Sequence, residues 1–117
     1  MAITYVEIED RYQTQTQSEN VTVEVTIGDA GVGAYIIFLD KVLKAANTTA
    51  NLGKASEVIG KRTIISATIP DTLDETNWTS VTVYIKEGSQ SKTYGPYSKH
   101  VSNNLDTVNF IIQIINQ

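Results

Sequence analysis

The sequence predicts an all-β chain, an antiparallel β-sandwich of about seven to eight short strands. Three observations carry that prediction. Residues 21–27, Val-Thr-Val-Glu-Val-Thr-Ile, alternate apolar and polar side chains without a break, and residues 80–86 and 107–115 largely repeat the pattern. Period-two alternation fits strands with one dry and one wet face. Clusters of Gly, Asn, Asp and Ser punctuate these runs at short intervals, as turns between strands require. With 117 residues and neither an internal repeat nor a linker, the chain reads as one domain over 1–117.

Taken in order, residues 3–9 form a first strand rich in β-branched and aromatic residues. Residues 10–20, including Gln13-Thr-Gln-Thr-Gln17, are polar and read as a mobile connection, with an exposed edge strand as the alternative. The strand at 21–27 leads into Gly28-Asp-Ala-Gly-Val-Gly33. Residues 34–46 admit two readings. As a helix, Tyr35, Leu39, Val42, Leu43 and Ala46 share a face; as a hairpin, residues 35–39 turn at Asp40-Lys41 into 42–46. The run Tyr35-Ile-Ile-Phe38 and the lack of a helix cap favour strands.

Residues 47–51 read as a loop and 52–60 as a short irregular or edge strand. Residues 63–69 are a clear strand that Pro70 ends, since proline donates nothing to a ladder. Leu73 and Trp78 are expected to tuck under one end of the sandwich. Residues 80–86 turn at Glu87-Gly-Ser-Gln90 and return over 91–97, interrupted by Gly95-Pro96; residues 107–115 are the last and most apolar strand.

The stretch Asn51-Leu-Gly-Lys-Ala-Ser-Glu-Val-Ile-Gly-Lys-Arg-Thr-Ile-Ile-Ser-Ala-Thr-Ile-Pro-Asp71, followed by Thr-Asn-Trp-Thr-Ser-Val-Thr-Val-Tyr-Ile85, resembles the middle of bacterial immunoglobulin-like sandwich domains. The resemblance spans residues of about 20–86 and implies an immunoglobulin-like fold. The chain has no cysteine, so the antibody-type Cys–Trp–Cys pattern is absent and nothing about antigen binding transfers.

Composition narrows the function classes. Without cysteine, disulfides and thiolate metal ligation are excluded. A net charge of −4, with sparse and scattered Lys and Arg, argues against nucleic acid as a partner. The N-terminus has no basic region and no apolar core of a signal peptide, so the expectation is a soluble, cytoplasmic chain unless it was trimmed or leaves by another route. Its longest apolar run, 34–39, is too short for membrane insertion.

Catalytic readings are weak. Gly28-Asp-Ala-Gly-Val-Gly33 matches neither a dinucleotide fingerprint nor a P-loop. His100 is the only histidine, and no nucleophile elbow surrounds Ser98 or Ser102 that would make a triad with it and Asp106. Asp71, Asp74 and Glu75 match no calcium-loop spacing. Sequons at Asn20, Asn47 and Asn77 arise easily in a threonine-rich chain. The expectation is no enzyme, no metal and no cofactor.

Two candidate sites remain. Tyr84, Tyr94 and Tyr97, with Trp78, would form an aromatic platform for a glycan, because sugar C–H faces stack on aromatic rings. Phe110-Ile-Ile-Gln-Ile-Ile115 is apolar on both faces, with Phe110, Ile112 and Ile114 on one and Ile111 and Ile115 on the other. Such a strand is either central and covered by a loop, or covered by a protein partner or a second copy. Phe110, Ile111, Ile112 and Ile115 are the candidate interface. A non-catalytic assembly module is the leading function, and a carbohydrate-binding module the alternative.

Overall fold

Alternation along the chain becomes two stacked sheets in the structure, a computed structural model that describes residues 3–16, 18–28, 33–70, 78–100 and 106–117. The strands are β1 (Ile3–Tyr12), β2 (Asn20–Gly28), β3 (Ala34–Leu39), β4 (Val42–Ala46), β5 (Ala50–Lys54), β6 (Arg62–Pro70), β7 (Trp78–Glu87), β8 (Gln90–His100) and β9 (Thr107–Asn116). A single helical turn, α1 (Ala55–Val58), sits between β5 and β6. A five-stranded sheet runs β1-β9-β6-β3-β4 and a four-stranded sheet runs β5-β2-β7-β8.

Between the sheets lies the core. β2 contributes Val21, Val23 and Val25; β6 contributes Ile65, Ala67 and Ile69; β7 contributes Val81, Val83 and Ile85; β9 contributes Val108, Phe110, Ile112 and Ile114. Every second residue of these strands is buried, as the alternation requires.

The all-β sandwich stands, with corrections. The described strands number nine. The five-stranded sheet is mixed, because β1 pairs parallel with β9 from Ile3–Thr107 to Tyr12–Asn116. A pairing between the two ends of a chain leaves no local trace in sequence, whereas hairpins do. Residues 10–16 are also not a free connection: β1 runs on to Tyr12, and Thr14 is tied to the Gln117 carbonyl by its amide at 2.9 Å and its hydroxyl at 2.7 Å.

Residues 34–46 are the hairpin β3–β4, turning at Asp40-Lys41. Asp40 takes φ of +50°, and its carboxylate accepts the Arg62 amide at 2.8 Å while its own amide donates to the Arg62 carbonyl. β5 is an edge strand, and its continuation is α1 rather than further strand. Trp78 does not tuck under the sandwich; it is 51% exposed, its ring edge-on to His100 at 5.2 Å.

Candidate interaction site

The outward residues of the five-stranded sheet form a face with a contiguous apolar patch among its polar residues. On β3 these are Ala34, Ile36 and Phe38; on β6, Arg62, Ile64, Ser66 and Thr68; on β9, Asn109, Ile111, Gln113 and Ile115. Register then gathers the apolar ones. Phe38 lies opposite Ile64 on one side and Leu43 on the other, and Ile36 stands opposite Ser66 and Ala46. Ile64 pairs with Gln113, which places Ile111 and Ile115 diagonally beside it, within reach of long side chains. On β1, Ile3 and Tyr5 extend the face and are 57% and 64% exposed.

Leu43 is 57% exposed and Ile36 37%, while Phe38, Ile64, Ile111 and Ile115 are half-buried by one another. Every described strand belongs to one of the two sheets, and α1 packs on β5 and β2, so no described element lies over this face. A shallow depression of about 120 Å³ is set into it, lined by Ala34, Tyr35, Ile36, Asn47, Ser66 and Thr68.

Charge is confined to the margins of this face. Glu7 and Glu9 project from β1, opposite Ile111 and Gln113. Lys44 occupies the β4 bulge between Leu43 and Ala45, at the other margin, and Lys41 sits in the turn before it. Arg62 stands at one end, 3.6 Å from Glu9 and donating to the Gln113 side chain at 2.9 Å. At the other end Asn109 donates to the Thr68 hydroxyl at 2.7 Å.

Of the expected interface residues, Ile111 and Ile115 lie on this face. Phe110 and Ile112 do not: both are wholly buried between the sheets, so they are core and offer nothing to a partner. Ile36, Phe38, Leu43 and Ile64 were missed in the sequence. Their signal was present, because Tyr35-Ile-Ile-Phe-Leu39 and Thr63-Ile-Ile-Ser66 are apolar on consecutive residues, like the last strand. Only the strand order β9-β6-β3 shows that these runs are neighbours.

The expected tyrosine platform does not assemble. Tyr84 is outward and half-buried on β7, between Glu24 and Thr93. Tyr94 and Tyr97 both turn inward, opposite Val83 and Val81, and Tyr94 is only 3% exposed. Residues three apart on a regular strand point to opposite faces. Here Gly95 and Pro96 together oppose Thr82, a bulge that inserts one extra residue and puts both tyrosines on the same side. Gly95 has φ of +93°, and a Cβ there would lie 2.7 Å from the Tyr97 amide nitrogen, so a glycine is needed.

The inward tyrosines fasten β1. The Tyr94 hydroxyl donates to the Arg11 carbonyl at 2.6 Å, and Tyr97 reaches the Asp10 carboxylate at 3.5 Å. Burial pushes both phenols up, and the negative charge of Asp10 adds to the shift.

Beside them lies a carboxylate that the sequence offered only as the start of a turn. Glu87 is 1% exposed. It accepts the Tyr12 hydroxyl at 2.7 Å, the Gln15 amide at 3.0 Å, and the Thr16 amide and hydroxyl at 2.6 and 2.7 Å. Burial alone would raise its pKa; the hydrogen bonds from Thr16, Tyr12 and Gln15 outweigh burial and hold the carboxyl below the usual range. Tyr12 is pushed up to about 12 by burial and by Glu87, partly countered by the bond it receives from Gln90. The group needs no metal or cation, because its lone pairs are already taken.

Ser98 and His100 lie on β8 with the His100 ring against Trp78; Ser102 lies outside the described residues, as do Asp71, Asp74 and Glu75 of the acidic turn and Leu73. Most of the glycine-rich loop and Asn77 are outside them too. Among the described residues no three His, Asp or Glu side chains gather into a metal-holding group, and no helix is long and apolar enough to cross a membrane. Comparison with protein-family models, with curated proteins and with solved structures found no match to the chain.

Proposed function

We propose that the protein is a non-catalytic assembly module whose working surface is the outer face of the five-stranded sheet. One observation carries the reading: Ile36, Phe38, Leu43 and Ile64 adjoin one another in register, with Ile111 and Ile115 alongside, and no described element covers them. Contiguous apolar patches of this kind mark contact sites on soluble proteins. The sandwich itself reads as immunoglobulin-like. Its two stacked sheets share one core, and its chain passes repeatedly between them, keeping only β3–β4 and β7–β8 as hairpins within one sheet.

The test is position-specific. A photo-cross-linking amino acid at Leu43 should give a discrete protein adduct in the cell that makes the chain, and at Thr26, on the other sheet's outer face, it should not. Adducts from both positions alike, or from neither, reject the reading.

A further inference from the structure

We propose that a second copy of the chain covers this face, the two copies being related by a two-fold axis that runs along β6, the middle strand of the five. The inference rests on the assembly reading above and names its partner.

Charge favours this arrangement. Rotation about an axis along the strands keeps each residue at its level and exchanges the sheet's two margins. Glu7 and Glu9 of one copy then lie over the β4 margin of the other, on either side of the Lys44 level, since the rows through β9, β6 and β3 join Glu7 to Ala46 and Glu9 to Leu43. Acid meets base twice, once at each margin. An axis across the strands would instead set Glu7 against Glu7, and like charges facing each other repel.

Apolar residues also meet under the same rotation. β9 falls over β3 and β6 over β6. Ile111 therefore faces Ile36 of the other copy, because both stand in the row of Ser66, and Ile64 faces its own equivalent. Arg62 would also meet its equivalent, but its charge is already shared with Glu9 and Gln113. Aligned sheets cross at about 30°, which swings the ends of the two β6 strands apart where Arg62 stands.

The face is also large enough. Strand spacing and residue rise allot about 32 Å² to each outward position, so the face presents roughly 650 Å² and two copies hide about 1,300 Å². That falls at the lower end of the range for specific, stable interfaces, roughly 1,200–2,000 Å². The packing needs no new principle, since the molecule already stacks one sheet on another to make its core.

Light scattering on the eluting whole chain, over about a hundredfold range of concentration, decides the matter. The expected mass is that of a dimer. Leu43→Glu should weaken it by about tenfold or more, and Glu7→Lys, which leaves the Glu9–Arg62 pair intact, should weaken it as well. Adding Lys44→Glu to that reversal should restore association, because acid and base have then changed sides. Circular dichroism confirms that each variant is folded, with Ile36→Glu replacing Leu43→Glu if the latter is not.

A dimer indifferent to these changes, or a charge reversal that Lys44→Glu does not rescue, overturns the proposal. A monomer at every concentration overturns it too. If that monomer still gives a Leu43-specific adduct with a different protein, only the second copy is wrong. If it gives none, the assembly reading falls with it.

Discussion

The two outer faces of the sandwich are made by the same alternation and end in opposite chemistry. Outside the four-stranded sheet stand Thr22, Glu24 and Thr26 of β2, Thr82 and Lys86 of β7, and Thr93 of β8, with Tyr84 and, at the start of β7, Trp78 as the large rings among them. Lys86 and Glu24 pair across this face at 3.6 Å. Outside the five-stranded sheet stand isoleucines, a phenylalanine and a leucine. Folding requires the inward row of a strand to be apolar and leaves the outward row free. The outward row therefore reports what each face meets. Water accounts for the threonine face and does not account for the other.

The comparison breaks most sharply on β9, where adjacent residues serve the two sides. Ile112 is wholly buried in the core, and Ile112→Ala should cost about 2–5 kcal/mol in urea unfolding. Ile111→Ala should cost only about 1 kcal/mol in an unassociated chain and show itself in association instead. If both lose stability equally at concentrations where the protein is monomeric, Ile111 belongs to the core and the outer face is not free.

Next in size is the buried carboxylate that joins the two sheets at one edge, independent of either outer face. Glu87→Gln keeps the shape but cannot accept all of the bonds from Tyr12, Gln15 and Thr16, and should cost about 1–3 kcal/mol at neutral pH. Because the folded carboxyl lies below its unfolded value, its contribution is complete above the unfolded pKa of about 4.3 and is lost as pH falls through the lower folded one. The gap between wild type and Glu87→Gln should therefore narrow below about pH 4. A gap that stays constant down to pH 2 would show that the charge is not what holds the segment.

What the sequence made legible follows the range of the interactions. β2, β6, β7 and β9 announce themselves through alternation, and the β3–β4 and β7–β8 turns through two-residue loops at Asp40-Lys41 and Gly88-Ser89. Side-chain direction within one strand is equally legible: Tyr84 alternates with Val83 and Ile85 and stands outward where they are buried. Three features escaped. The β1–β9 parallel pair joins residues at opposite ends of the chain. The Gly95–Pro96 bulge reverses the facing of Tyr97 relative to a regular strand. Glu87 gains its partners from residues over 70 positions away, so only its place in a turn was visible. The outer face was half legible, because Ile111 and Ile115 signalled an apolar second side but not which strands would extend it.

Smaller again is Tyr94→Phe. The ring stays, and only the bond to the Arg11 carbonyl is lost, for about 0.5–1.5 kcal/mol. This change lies inside the sandwich, so dimer mass should be unaffected. A loss of association in Tyr94→Phe would place the contact at β8 rather than on the five-stranded face.

The smallest expected effect is the one that guards the comparison. Thr26→Ala and Thr82→Ala lie opposite each other on the polar face, in the register of β2 and β7. Neither hydroxyl has a buried partner to lose among the described contacts, and exposed substitutions of this kind stay within about 0.5 kcal/mol. Alanine also removes a β-branch from each strand, which sets a small cost of the same order through strand preference. Scattering mass should not change at all. If it falls as it does for Leu43→Glu, both faces take part in assembly and the threonine surface is not simply wet; if it holds, the difference between the faces is a difference in what covers them.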